Sequence, residues 1–313
     1  MNGFMRGWLL LAAVVTSACM APLQKLEKPL VEDEKAATVV IYLEQAAVEI
    51  DGAVVETGLG GVVGFLIENM AEGKMNSNRR KAFPALHGML INYDYENRLV
   101  DALRKNLPLQ LVRADASFKI VRNEQEWHQH LSSVVPANVL VIKTRYGFEQ
   151  NFEIAYVHAE TDLSHHHRVP PDKQAIRQMT IEQQRAAKPT ILYRGSYYSQ
   201  HATRRLFDEL VNDEGLSGYE TNAAAWAKDR AAPARQAFSI GINEVAQLIE
   251  ADAQGQLPNP EDPVEMRIMA AHAYVGPIPI WTKVLARNGD RILVNFGHHH
   301  FWVDQRQVQR ERR

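Results

Sequence analysis

Histidine is the residue type whose spacing most invites chemistry. Two triplets, His165-His166-His167 and His298-His299-His300, stand far apart in the chain. Residues two apart in a strand share a face, so His298 and His300 would present two imidazoles together, with His299 opposed. Neutral imidazole binds zinc or copper, but a stable site needs a third or fourth ligand and groups that orient them. Nothing local supplies one; Asp290 and Asp304 are the nearest carboxylates. The expectation is at most weak zinc binding at His298 and His300. His165, His166 and His167 would complete the site only if the fold brought them near. The competing reading leaves both triplets solvated.

The stretch Gly58-Leu59-Gly60-Gly61-Val62-Val63-Gly64-Phe65 spaces glycines at Gly58, Gly60 and Gly64. Glycines let a backbone approach a pyrophosphate at a helix N-terminus. A preceding hairpin is a poor start for such a unit, however, and no tight dinucleotide binding is expected. Gly60, Gly61, Gly64 and Phe65 read instead as a close-packed segment, or as one that touches lipid or another chain. No Gly-x-Ser-x-Gly is present, and Arg194-Gly195-Ser196 reads as strand rather than as a nucleophile elbow. The tyrosines Tyr193, Tyr197 and Tyr198, and the set Trp281, Phe301 and Trp302, are either a stacking surface for glycan or peptide or, as expected, core.

One cysteine occurs in 313 residues, Cys19. It follows Arg6, the apolar run from Trp8 to Val15, and the small residues Thr16-Ser17-Ala18. The apolar run suits a signal peptide and is too short to span a bilayer. This arrangement resembles the lipobox of bacterial lipoproteins, with Thr16 where such signals usually carry leucine. The resemblance implies cleavage before Cys19, acylation of its thiol and Cys19 as the mature N-terminus. Met20 stands where aspartate would signal inner-membrane retention, so the resemblance points to the periplasmic face of the outer membrane. A mature chain without another thiol has no disulfide, no cysteine nucleophile and no cysteine-ligated zinc. With 35 basic against 37 acidic residues, binding to nucleic acid is not expected.

The elements that must position these residues are legible in part. Residues 20–35, with Pro22 and Pro29, read as a flexible tether. Thr38–Leu43 is a β-branched strand, and Asp51-Gly52 signals a hairpin. A helical period runs from Lys81 to Lys105. Asn123 is placed to cap a helix through Leu131, which Pro136 ends. The apolar run Val139–Ile142 suits a strand covered on both faces. A turn is expected at Tyr146–Phe148, then strands through Phe152–His158 and Ile191–Tyr198, with an insertion from Asp162 to Lys188 between them. Helices follow at His201–Val211 and from Pro233, the latter burying Phe238, Ile242, Val245 and Ile249. Residues 255–266 read as a proline-rich linker, and Asn288-Gly289 closes a second hairpin in a β-rich module over 267–313, with His300–Val303 as a further strand.

The order strand, helix, two strands, strand, two helices is similar to the periplasmic α/β domain of auxiliary envelope lipoproteins. That group includes the curli-secretion lipoprotein and the amino-terminal domain of the Tol-system β-propeller protein. The matching residues are Asn138–Tyr146, Phe152–Thr161, Ile191–Ser199 and the late helix with Trp226, Phe238 and Leu248. The resemblance implies a scaffolding or binding role and no catalytic residues. The expected fold is therefore α/β, with α+β as the alternative: a mixed sheet with packed helices over 36–254 and a small C-terminal β-rich module. The expected function is a non-catalytic, lipid-anchored envelope protein that binds or assembles other envelope proteins, itself included. A periplasmic metal-binding protein and a hydrolase of envelope polymers are the alternatives.

Overall fold

The computed structural model describes residues 23–43, 45, 48–50, 86–149, 152–169, 178–203, 206, 217–258, 265–272, 276–296 and 299–312. Cys19, the glycine-rich stretch with Gly60, Gly61, Gly64 and Phe65, Pro84 and His298 lie outside them. The fold is α/β: one mixed sheet carries packed helices and a C-terminal β-rich module. Its strands are β1 (Ala36–Tyr42), β2 (Glu49–Ile50), β3 (Val112–Val121), β4 (Ala137–Phe148), β5 (Ile154–His166), β6 (Thr190–Ala202), β7 (Glu265–His272), β8 (Gly276–Asn288), β9 (Arg291–Phe296), β10 (His299–Asp304) and β11 (Val308–Arg312). They lie in the order β11-β7-β8-β9-β10-β6-β5-β4-β1-β3, with β2 beside β4.

The buried run in β4 is parallel to β1 and antiparallel to β5. Strand alternation sends Leu140 and Ile142 to the main core, and Val139 and Val141 to a smaller one with Val40. Helix α2 (Glu124–Val134) covers that second face through Leu131 and Trp127. Asn123 caps it as expected, accepting from the Glu126 amide at 2.9 Å. Helix α1 (Tyr95–Lys105) and α4 (Ser217–Ala253) cover the first face; α3 (Ile181–Ala187) is short. Between Lys228 and Ala231 the backbone of α4 leaves helical geometry, with φ positive at Asp229, Arg230 and Ala231. Pro233 therefore falls in the first turn of the following helical segment, where its missing N–H costs nothing. That segment buries Phe238, Ile242, Val245 and Ile249 as the period predicts. Its Gly241 passes close to β5: a Cβ there would sit 2.8 Å from Val157 Cγ2.

Several expectations are corrected. The helical period from Lys81 is not one helix: it breaks at Ile91–Asp94, where Asp94 caps α1 by accepting from the Asn97 amide. Tyr146–Phe148 is strand, because each residue pairs with β5; the chain reverses later, at Phe152 with φ 57°. β5 runs on to His166, so the histidines open the insertion from within the sheet. His201 and Ala202 end β6 rather than start a helix. β2 pairs in parallel with β4, and the other arm of the expected Asp51-Gly52 hairpin lies outside the described residues.

The tether is also corrected. Gln24 and Arg194 exchange both backbone hydrogen bonds, at 3.2 and 2.8 Å, and Leu26 and Leu30 pack on the main core. Residues 23–35 are thus a strap laid on the body. At the other end of the chain, β7 to β10 form an antiparallel meander, and a 3₁₀ turn, Gln305–Gln307, returns β11 to β7. The Asn288-Gly289 hairpin forms as expected, with Gly289 at φ 57°. The module has its own core around Ile268, Ile292 and Phe301, but that core includes Tyr198 of β6, and β10 pairs in parallel with β6.

Candidate functional site

The described members of the two histidine triplets separate rather than converge. Along β5, His165 turns to one face and donates through Nδ1 to Asn138 Oδ1 at 2.6 Å. His166 turns to the other, with Nε2 3.0 Å from Ser164 Oγ and its ring edge-on to Trp127. Burial, then the neighbouring His165, lowers the His166 pKa to about 4. The His167 ring meets His165 at 4.3 Å. His300 pairs with Tyr197, which pairs with Ala159; His165 is six residues further along β5, about 20 Å away at strand rise. Among the described residues no group of three or more His, Cys, Asp or Glu is arranged to hold a metal ion.

His299 and His300 face opposite ways, as strand alternation requires. His299 Nδ1 lies 2.6 Å from Ser196 Oγ, and His158 Nε2 lies 3.2 Å from the same oxygen. One hydroxyl is thus bracketed by imidazoles from β5 and β10, above a Tyr198 ring that stacks on His158 at 3.9 Å. Sequence reading passed over this trio because its three members come from three strands. Ser196, His158 and His299 are all buried.

The most structured polar site lies on the other face. Tyr193 and Tyr197, four apart on β6, point the same way and both donate to Asp252 Oδ2 near the end of α4, at 2.7 and 2.6 Å. Their hydroxyls also touch each other. Gly195 between them is required, since a Cβ there would collide with the Tyr197 ring. Lys25 of the strap donates to Asp252 Oδ1. Burial pushes the Asp252 carboxyl up, but hydrogen bonds from Lys25, Tyr197 and Tyr193 outweigh it and hold the pKa below the usual carboxylate value. Burial and the carboxylate raise both tyrosines well above their ordinary range.

This cluster forms one wall of a cavity of about 550 Å³. Its opposite side is the C-terminal module. Lys283 on β8 pairs with Asn295 on β9, which pairs with His300 on β10, which pairs with Tyr197. Lys283, Asn295 and His300 of this cross-strand row line the cavity. His300 is 7% exposed, and burial lowers its pKa, so it is neutral at pH 7. Asn295 Nδ2 lies 3.3 Å from His300 Nε2. Nδ1 is buried with no hydrogen-bond partner among the described residues.

A third cluster ties the module to the body. Arg291 of β9 donates to both carboxylate oxygens of Glu244 on α4, at 2.9 and 2.6 Å, and to the Gln200 carbonyl of β6. Ser199 Oγ donates to the same carboxylate. All of its groups are satisfied by one another, which marks it as structural. Comparison with protein-family models, curated proteins and solved structures returned no match for this chain.

Proposed function

We propose that this chain is a non-catalytic lipoprotein, acylated at Cys19, held on the periplasmic face of the bacterial outer membrane and binding other envelope proteins, with a second copy among the candidate partners. The observation that supports the reading is the strap. Gln24, whose backbone is paired to β6, comes five residue steps after Cys19. Their fully extended reach is about 18 Å. An acylated Cys19 would therefore hold the body close to the lipid surface instead of on a long leash. Two or three acyl chains make such anchoring stable where one would not. Short reach suits a component whose partners sit in the same membrane, because confinement raises their effective concentration.

The test is cross-linking and affinity capture from membranes, comparing the wild type with Cys19→Ser. Partners recovered with the wild type and lost with the variant support the reading. Identical partners from both, or none from either, count against it.

One contact favours a second reading. Ser196 Oγ and His299 Nδ1, 2.6 Å apart, have the spacing of a nucleophile and its base. A fluorophosphonate probe decides between the two: labelling at Ser196 would make the chain a hydrolase. We expect none, because Ser196 is 6% exposed and mid-strand.

A further inference from the structure

We propose that His165 and His167 hold a copper(II) ion between them, through two imidazole nitrogens at neighbouring corners of a square plane, with the other corners left to solvent. The inference is independent of whether Cys19 is acylated.

The two rings are already together. His165 is the last residue but one of β5, and His167 lies just past its end. Two residues apart, they fall on one side, and their ring centroids lie 4.3 Å apart. His166 between them turns to the other face, against Trp127.

His165 is prepared as a ligand. Asn138, its direct cross-strand neighbour on β4, places Oδ1 2.6 Å from its Nδ1. The orientation of that amide is fixed from its far side. Asn138 Nδ2 donates to the Glu34 carbonyl, which can only accept. Turning the amide over would set two oxygens against each other. Oδ1 therefore faces the ring, Nδ1 carries the proton, and Nε2 keeps a lone pair that no described residue engages. Histidines that bind metals usually have this second contact, which fixes both tautomer and ring orientation. His167 is exposed, and no hydrogen bond among the described residues holds its ring. The rings meet edge to face, at 72°. Rotation of the His167 side chain brings a nitrogen beside His165 Nε2, about 3 Å away, as two bonds of about 2.0 Å to one metal require.

The number of ligands selects the metal. Two imidazoles fall short for zinc, which takes at least three protein ligands even in open sites. The Glu34 carboxylate does not make up the set, because it accepts from the Val31 amide in its own turn, at 3.1 Å. Arg168, the next residue, is exposed and is free to turn its charge to solvent. Copper(II) binds a given nitrogen set more tightly than the other divalent ions of its row and accepts tetragonal geometry. A pair of imidazoles therefore carries it further than it carries zinc.

The experiment is isothermal titration of the full chain with copper(II), and with zinc as the comparison arm, all in the Cys19→Ser background so that no thiol competes. Electron paramagnetic resonance of the copper-loaded protein counts the bound nitrogens. The expected result is one saturable copper site that binds zinc at least about tenfold more weakly, with coupling to two imidazole nitrogens. His167→Ala should cost at least about tenfold in copper affinity and leave one nitrogen. Asn138→Leu should cost about tenfold while both nitrogens remain, which marks Asn138 as a positioning residue. Because His167 is exposed, its variant tests the proposal even if Asn138→Leu fails to fold. No saturable copper binding would overturn the proposal, as would a single nitrogen in the parent chain or zinc bound as tightly as copper. Unchanged copper affinity in His167→Ala would also overturn it, because the ion would then sit on other histidines.

Discussion

Lys25 holds its ammonium on the carboxylate of Asp252, although 227 residues separate them. The pair locks the strap against the end of α4, on the face where Tyr193 and Tyr197 already grip the same carboxylate. The two ends of the pair differ in burial, since the lysine side chain is 51% exposed and the aspartate 3%. Their substitutions should therefore differ as well.

Asp252→Ala leaves two buried tyrosine hydroxyls without their acceptor. It should destabilise the protein by about 2–4 kcal/mol. Lys25→Ala removes a half-exposed partner and should cost no more than about 1 kcal/mol. Urea unfolding of both variants checks this; equal losses would mean that the strap, not the tyrosine pair, fixes the carboxylate.

Acid should weaken the fold through histidines before it reaches the carboxylates. Burial lowers His166 to about 4 and His201 to about 3, the latter also through Arg291. Unfolded histidine titrates near 6.5, so below that pH the unfolded chain takes up protons that the folded chain refuses. Stability should fall as pH drops from 7 to 5, by roughly 1–2 kcal/mol for each of these two residues. His166→Gln and His201→Gln should each flatten that limb in unfolding titrations at the two pH values. Asp252 acts in the opposite window: with its folded pKa depressed, its contribution is present above about 3.8 and fades only in stronger acid.

Arg291 and Glu244 predict that the C-terminal module will not come away cleanly. Both side chains are nearly buried, at 13% and 14% exposure. Arg291→Met strands a buried carboxylate and should cost about 3–5 kcal/mol. Adding Glu244→Leu should return most of it, because a well-packed apolar pair avoids the desolvation of both ions. Chemical denaturation of the single and double variants measures this. No recovery in the double variant would show that Arg291 acts chiefly through the Gln200 carbonyl.

What the sequence made legible was local. Asn123 before a helix, Pro233 in a first turn, Asn288-Gly289 between two strands and the apolar run Val139–Ile142 each carry their instruction within a few residues. The break at Asp94 was equally local, and was hidden because Leu86 and Leu90 before it, and Leu99 and Leu103 after it, each keep a helical spacing. The sites were not legible, for a physical reason. Tyr193 and Tyr197 can be read as sharing a face, but their acceptor lies 59 and 55 residues away. The trio around Ser196 draws on β5, β6 and β10, and the row from Lys283 to Tyr197 exists only once four strands are in register. The strap was misread because Leu26 and Leu30, scattered among charges and prolines, show no period; only tertiary packing gives them a core to join.

The anchoring claim is tested most directly by mass spectrometry of the N-terminal peptide from protein purified out of membranes. The account predicts a chain that begins at Cys19 and carries the added mass of two or three acyl chains on that residue. A chain that begins elsewhere, or an unmodified Cys19, would contradict it.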